Sequence, residues 1–184
     1  GNGNFASYIS NAYANTYRGN DEMYIGKFNN YRSLVFGTYI GGTGNDDLND
    51  IQVFSDGAIA FSGSSSDATS FPTLVNYPAN GVANTTGGLD GVIGVLPPNG
   101  GSSIQMLGRF GGTGDDEFFG LAIGPFDTLF VTGFTSSTNF YLGPNSAGNR
   151  FQTTKGSNQD AFIGKVPRTG WTAGATDPWN ATYF

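Results

Sequence analysis

The residues of this chain best placed for chemistry are two acidic clusters. Asp46, Asp47 and Asp50 form one, and Asp115, Asp116 and Glu117 form the other. Each follows a glycine-rich run, Gly41-Gly42-Thr43-Gly44 in the first case and Gly111-Gly112-Thr113-Gly114 in the second. Carboxylates crowded into such a loop can supply the oxygen ligands that Ca²⁺ takes. A carboxylate pair can also act as acid and base in glycoside cleavage, at separations of roughly 5–9.5 Å. The third use is structural, because Asp and Asn accept hydrogen bonds from turn amides. A catalytic site is normally built once, whereas these clusters occur twice. Turn structure is therefore the first expectation, Ca²⁺ the one candidate cofactor, and an acid-pair hydrolase or lyase the third reading.

Other chemistries are excluded by composition. The 184 residues contain no His and no Cys. That removes Ser-His-Asp and Cys-His catalysis, imidazole and thiolate metal sites, and disulfides. A net charge of −6 argues against nucleic-acid partners and anionic membrane surfaces. The longest apolar runs are short, such as Leu34–Phe36 and Ala58–Phe61, so no segment is expected to insert in a membrane. The glycine-rich runs lack the Lys-Ser/Thr ending of a phosphate loop. The sequence opens at Gly1 without an apolar leader, so any secretory leader has been removed or lies outside it.

The elements that must position the acids are repeats. The stretch Ile40 to Asp47 matches Phe110 to Glu117, about 70 residues on, and the match continues to Ser66 and Ser136. A second motif occurs three times, at Glu22–Phe28, Asp90–Leu96 and Asp160–Val166. Each repeat reads as four strands, the first copy at 34–40, 48–54, 58–64 and 91–96. The second copy falls near 103–110, 117–123, 128–134 and 161–166. Asp56-Gly57 between apolar runs is a hairpin signal. No helix is expected, because the chain carries 30 Gly and no apolar stripe of helical period. With 15% aromatic residues the chain fits pleated, half-buried surfaces. The fold class is thus all-β and antiparallel, made of β-propeller-like four-stranded blades, about two and a half repeats in one domain over 1–184. Full copies span about 22–89 and 90–159, with partial blades at 1–21 and 160–184. Such blades must stack to bury their faces.

Three runs carry a family resemblance: Gly111-Gly112-Thr113-Gly114-Asp115-Asp116-Glu117, Val131-Thr132-Gly133-Phe134-Thr135-Ser136-Ser137-Thr138-Asn139-Phe140, and Asp160-Ala161-Phe162-Ile163-Gly164-Lys165-Val166. Together they resemble the bacterial SBBP-type β-propeller repeats, over about residues 20–170. The first copy follows the pattern more loosely, with Ile59-Ala60-Phe61-Ser62-Gly63-Ser64. The resemblance implies a secreted or cell-surface bacterial propeller, often part of a large adhesin. It implies no catalytic residue.

The chain begins and ends out of phase with whole repeats. Asn4-Phe5 matches Asn139-Phe140, and Asn180 to Phe184 matches Phe36 to Ile40. Three arrangements satisfy this: a piece of a longer propeller, a subunit whose end strands pair with neighbouring copies, or an open β-stack. An apolar end strand needs a partner, and head-to-tail pairing makes rings or filaments. Phe5, Tyr8, Asn180, Ala181, Thr182, Tyr183 and Phe184 are the expected assembly residues. The leading expectation is a non-catalytic extracellular structural protein that assembles with copies of itself or belongs to a longer propeller. The second is a surface adhesin that binds glycans through aromatics such as Tyr13, Tyr17, Tyr24, Trp171 and Trp179. Glycosylation candidates are Asn84 and Asn180, each in an Asn-x-Thr sequon, and Thr128 in Asp127-Thr128-Leu129.

Overall fold

A computed structural model describes residues 8–67, 69–72, 87–143, 150–156, 158–169 and 179–184. Phe5, Asn84 and Trp171 lie outside the described residues. Among the described residues ten strands follow one another: β1 (Met23–Phe28), β2 (Leu34–Ile40), β3 (Asp46–Val53), β4 (Ile59–Ser65), β5 (Asp90–Leu96), β6 (Met106–Phe110), β7 (Asp116–Ile123), β8 (Thr128–Thr135), β9 (Asp160–Pro167) and β10 (Asn180–Tyr183). The protein is all-β, and among the described residues the only helical element between strands is one 3₁₀ turn at Pro125–Asp127. All pairings within the sheets are antiparallel. One sheet is the pair β1-β2, and the other two are four-stranded, ordered β3-β4-β5-β6 and β7-β8-β9-β10.

The strand positions agree with the sequence pattern, but their grouping differs. The sequence joins 34–40 to the three strands that follow. In the structure that strand pairs with β1, and the four-stranded sheet starts only at Asp46. The Gly-Gly runs are therefore crossings between sheets, not turns within one. Backbone amides immediately after the crossing engage acidic side chains, as Gly42 does with Asp46 Oδ2 at 2.8 Å. The repeat copies at 22–89 and 90–159 accordingly straddle the sheets.

Register makes the three sheets comparable position by position. Gly26 faces Gly37, Gly94 faces Leu107 and Gly164 faces Ala181. Strands β1, β5 and β9 are thus equivalents, and so are β2, β6 and β10. The match between Phe36–Ile40 and Asn180–Phe184 follows the same register.

The sheets stack in three layers with apolar cores between them. In the first core Met23, Ile25, Phe36 and Ile40 meet Ile59, Phe61, Val92, Leu96 and Leu107. In the second, the opposite side of the β3–β6 sheet (Ala60, Ile93, Val95, Met106, Phe110) meets Phe118, Leu129, Val131, Phe162 and Trp179. Every residue of β4, β5 and β6 is consequently buried. A strand covered on both faces reads as a continuous apolar and small-residue run rather than an alternation. Glycine admits the closest approaches: a Cβ at Gly94 would run into the Phe61 ring, and one at Gly164 into the Trp179 ring.

Candidate functional site

The acidic residues of each cluster do not converge. Asp46 and Asp47 are neighbours on β3, and Asp116 and Glu117 on β7, so each pair points to opposite faces of its strand. Asp46 and Asp116 are buried at 2% and 0% exposure, whereas Asp47 and Asp115 are exposed and Glu117 is half-buried. Among the described residues no group of three or more acids is gathered in metal-binding array.

The buried acid of each cluster instead faces the acid that opens the strand motif of the preceding sheet. At one junction Glu22 and Asp46 flank Gly41: a Cβ there would strike Asp46 Oδ2 and come within 2.8 Å of Glu22 Cγ. At the next, Asp90 and Asp116 flank Gly111, whose added Cβ would strike Asp90 Oδ1 and lie 3.0 Å from Asp116 Oδ2. Glycine is required because the two carboxylates fill the space beside it. Arg109 Nε lies 3.7 Å from Asp90 Oδ2, with both side chains buried. The third motif acid, Asp160, accepts the Gly156 amide at 2.6 Å.

Burial governs the ionisation of these pairs. It pushes Asp90 up to about 7, with the Arg109 charge opposing and the Asp116 and Asp115 charges reinforcing the rise. Burial also raises Asp116, against hydrogen bonds from Ser137 and Thr135. It raises Asp46, against hydrogen bonds from Ser65 and Gly42, and Glu22 as well. Among the described residues, Asp46 Oδ1, Asp90 Oδ1 and Asp116 Oδ1 are buried without a hydrogen-bond partner. A neutral acid tolerates such a position far better than a carboxylate does. An acid pair for glycoside cleavage must face a cleft; Asp90 and Asp116 face a glycine backbone inside the protein.

A second acid holds the first crossing loop from the side. Asp67 Oδ2 accepts the amides of Thr43 at 2.5 Å and Gly44 at 3.2 Å, while Oδ1 accepts those of Thr69 at 2.9 Å and Ser70 at 2.7 Å. The Ser70 hydroxyl also donates to it. Burial pushes Asp67 up, but these bonds outweigh it and hold the carboxyl well below the usual range. In the second repeat Asn139 Oδ1 takes the Thr113 amide at 2.9 Å and Ser137 Oγ the Gly114 amide at 2.8 Å. Asp67→Ala strands four amide donors, so it is expected to cost about 2–4 kcal/mol in urea unfolding. Asp67→Asn keeps an acceptor and recovers part of that loss; equal stability of wild type and D67A would show that the loop is held otherwise.

Asp50 is a clamp between sheets. A bulge interrupts the register of β3 between Leu48 and Asp50, which turns the side chains there toward the next sheet. The Asn49 amide donates to the Phe118 carbonyl at 2.9 Å, and Asp50 Oδ2 accepts the Leu121 amide at 2.8 Å. Asp50 Oδ1 takes the Ile51 amide at 2.7 Å. Both Asp50 oxygens therefore have backbone partners. The equivalent bulge on β7 falls at Phe119-Gly120, where Phe119 is 47% exposed and, among the described residues, no such clamp exists. No family model matches the chain, and no curated protein matches it.

The expected assembly residues divide. Strand β10 pairs with β9 on one side. On the other, Ala181 donates to the Leu142 carbonyl at 3.0 Å and Tyr183 to the Gln152 carbonyl at 3.3 Å. Strand β2 is covered in the same way, by Ser10 and Ala14. Asn180–Tyr183 thus has no free edge to offer a neighbour, because its own chain already lies along it. Tyr8 and Phe184 are exposed at 48% and 61%. Of the glycosylation candidates, Asn180 and Thr128 are half-buried on strands. Among the aromatics, Trp179 is core, and Tyr13 packs against the first core. Tyr17 and Tyr24 sit edge-on to Tyr39, at 5.8 and 5.7 Å between centroids.

Two residues that the sequence leaves unremarked tie the sheets together. Lys27 on β1 donates to the carbonyls of Gly57 at 2.8 Å and Pro98 at 2.7 Å, both in turns of the next sheet. Arg168, buried, bonds Asp56 at 2.7 Å and Gln105 at 2.8 Å and lies 4.3 Å over the Phe54 ring. A lone basic residue in a sequence gives no sign that it reaches across a junction.

Proposed function

We propose that the chain is a non-catalytic structural module, extracellular or at the cell surface, whose stacked sheets are β-propeller-type blades and which assembles with copies of itself into a filament or ring. The observation that carries this reading is that strands β4, β5 and β6 are buried on both faces, while among the described residues nothing covers the outer face of the β7–β10 sheet. A repeat that gains its stability from stacking presents the same demand at its ends. The acids fit the same reading, since each buried one described above holds a crossing or a junction. The likeness to SBBP-type repeats points in the same direction.

A glycan-binding adhesin is the second reading. It rests on a shallow depression of 190 Å³ on the open face, lined by Phe130, Ile163, Gly164, Lys165, Asn180, Ala181 and Thr182. The Phe130 ring beside the Lys165 ammonium suits a sugar. Negative-stain electron microscopy with light scattering over a concentration series separates the two. Rings or filaments are the expected result. A particle that stays at 19.3 kDa and binds a glycan array would replace the first reading with the second.

A further inference from the structure

We infer that the open face of the β7–β10 sheet is the docking site for the β1–β2 end of a second copy of this chain, joined head to tail; this rests on the assembly reading above. The first argument is internal. The face in question has two equivalents within the chain, and a sheet of the same kind covers both. Ile25, Lys27 and Phe36 lie beneath the β3–β6 sheet, and Ile93, Val95 and Met106 beneath the β7–β10 sheet. The third occurrence carries Ile163, Lys165 and Asn180 at those positions, with Phe130 where Ala60 stands. Among the described residues nothing covers it: Lys165 and Thr132 are exposed, and Phe130, Phe134 and Ile163 are half-buried.

The second argument is the lysine. Lys27 occupies the same register position on β1 that Lys165 does on β9. It crosses to the next sheet and donates to the carbonyl of Pro98, in the turn between β5 and β6. Lys165 makes no hydrogen bond or ion pair among the described residues. In a second copy, the counterpart of that turn is Asn29–Ser33 between β1 and β2. The middle sheet has Val95 at this position and needs no such donor.

The third argument is the chemistry of the other end. The outer face of β1 shows Tyr24 half-buried, Gly26 exposed and Phe28 51% exposed, with Tyr8 6.5 Å from the Phe28 ring. Later sheets bury the equivalents of this stripe, namely Val92, Gly94 and Leu96, then Phe162, Gly164 and Val166. Aromatic rings complement a face that mixes phenyl groups with the Lys165 ammonium, and aromatic residues are enriched in such interfaces. The two ends are not alike, so the contact is heterologous and propagates.

Two variants at exposed positions test it: Lys165→Glu blocks the head and Phe28→Glu blocks the tail. Sedimentation velocity of wild type is expected to show association that grows with concentration, while each variant alone sediments as one chain. An equimolar mixture of K165E and F28E retains one intact head and one intact tail, and is expected to give a pair of two chains and nothing larger. Circular dichroism unchanged from wild type shows that the variants fold. If either does not, Thr132→Arg for the head and Gly26→Arg for the tail replace them. A variant that pairs with itself, or a mixture that stays monomeric, overturns the inference. Wild-type association that neither variant weakens overturns this interface but leaves self-assembly standing. A monomeric wild type overturns both.

Discussion

Stability is expected to fall as pH rises from about 4 to about 7, and then to level off. The residue chiefly responsible is Asp90, raised to about 7 by burial beside Asp116 and Arg109. Its unfolded pKa is the ordinary aspartate value near 4. Because the folded pKa is the higher one, the folded state holds a proton that the unfolded state has already released across this window. Stability is therefore full below about pH 4 and drains away until Asp90 ionises in the folded state as well. Glu22, Asp46 and Asp116 are raised in the same direction and reinforce the trend. Asp67 has the opposite sign: it is held low, so its contribution disappears only in strong acid. The loss between pH 4 and 7 is on the order of 3 kcal/mol for Asp90 alone. Urea unfolding at fixed ionic strength measures it directly. Asp90→Asn cannot titrate, so its curve should be markedly flatter over the same window. A wild-type curve that rises toward neutral pH, or a D90N curve of equal slope, would contradict the protonated junction.

The pairing of Asp90 with Asp116 shows how the sequence informs and misleads at once. Both acids stand out in it, each in its own repeated motif. Proximity along the chain groups Asp116 with Asp115 and Glu117, and that grouping suggests a loop site. The loop in fact ends at Asp115, and Asp116 is the first residue of a strand. Strand alternation then sends Asp116 and Glu117 to opposite faces, and the real neighbour comes from another motif in the preceding sheet. Strand positions were legible because Gly-Gly crossings and the Asp56-Gly57 hairpin punctuate them. Gly57 adopts φ 84°, as that turn requires. The grouping of strands into sheets was not legible, since a crossing and a hairpin turn call for the same small residues. The threefold motif already aligned Lys27 with Lys165, but not the reach of Lys27 across the junction, where its partners are turn carbonyls from distant parts of the chain.

Trp179→Ala is expected to be the most damaging single substitution in the second core, costing about 3–5 kcal/mol in urea unfolding. Trp179 is wholly buried. Its ring lies 4.3 Å from Phe110 and is stacked 6.0 Å from Phe118, so it contacts both sheets of the junction. Its indole N–H donates to the Tyr141 carbonyl at 2.8 Å. Truncation opens a cavity between sheets and leaves that carbonyl without its donor. Trp179→Phe refills most of the volume but not the hydrogen bond, so a loss of about 1–2 kcal/mol is expected. A second route to the same site is Gly164→Val, whose side chain must displace the indole that lies against Gly164. The position also bears on assembly. Trp179 precedes Asn180, and Gly164 precedes Lys165, so the residues that seat β10 from within also set the open face outside. W179A should therefore weaken association even under conditions where it remains folded. Loss of stability without any change in association would mean that the outer face keeps its shape independently of the core behind it.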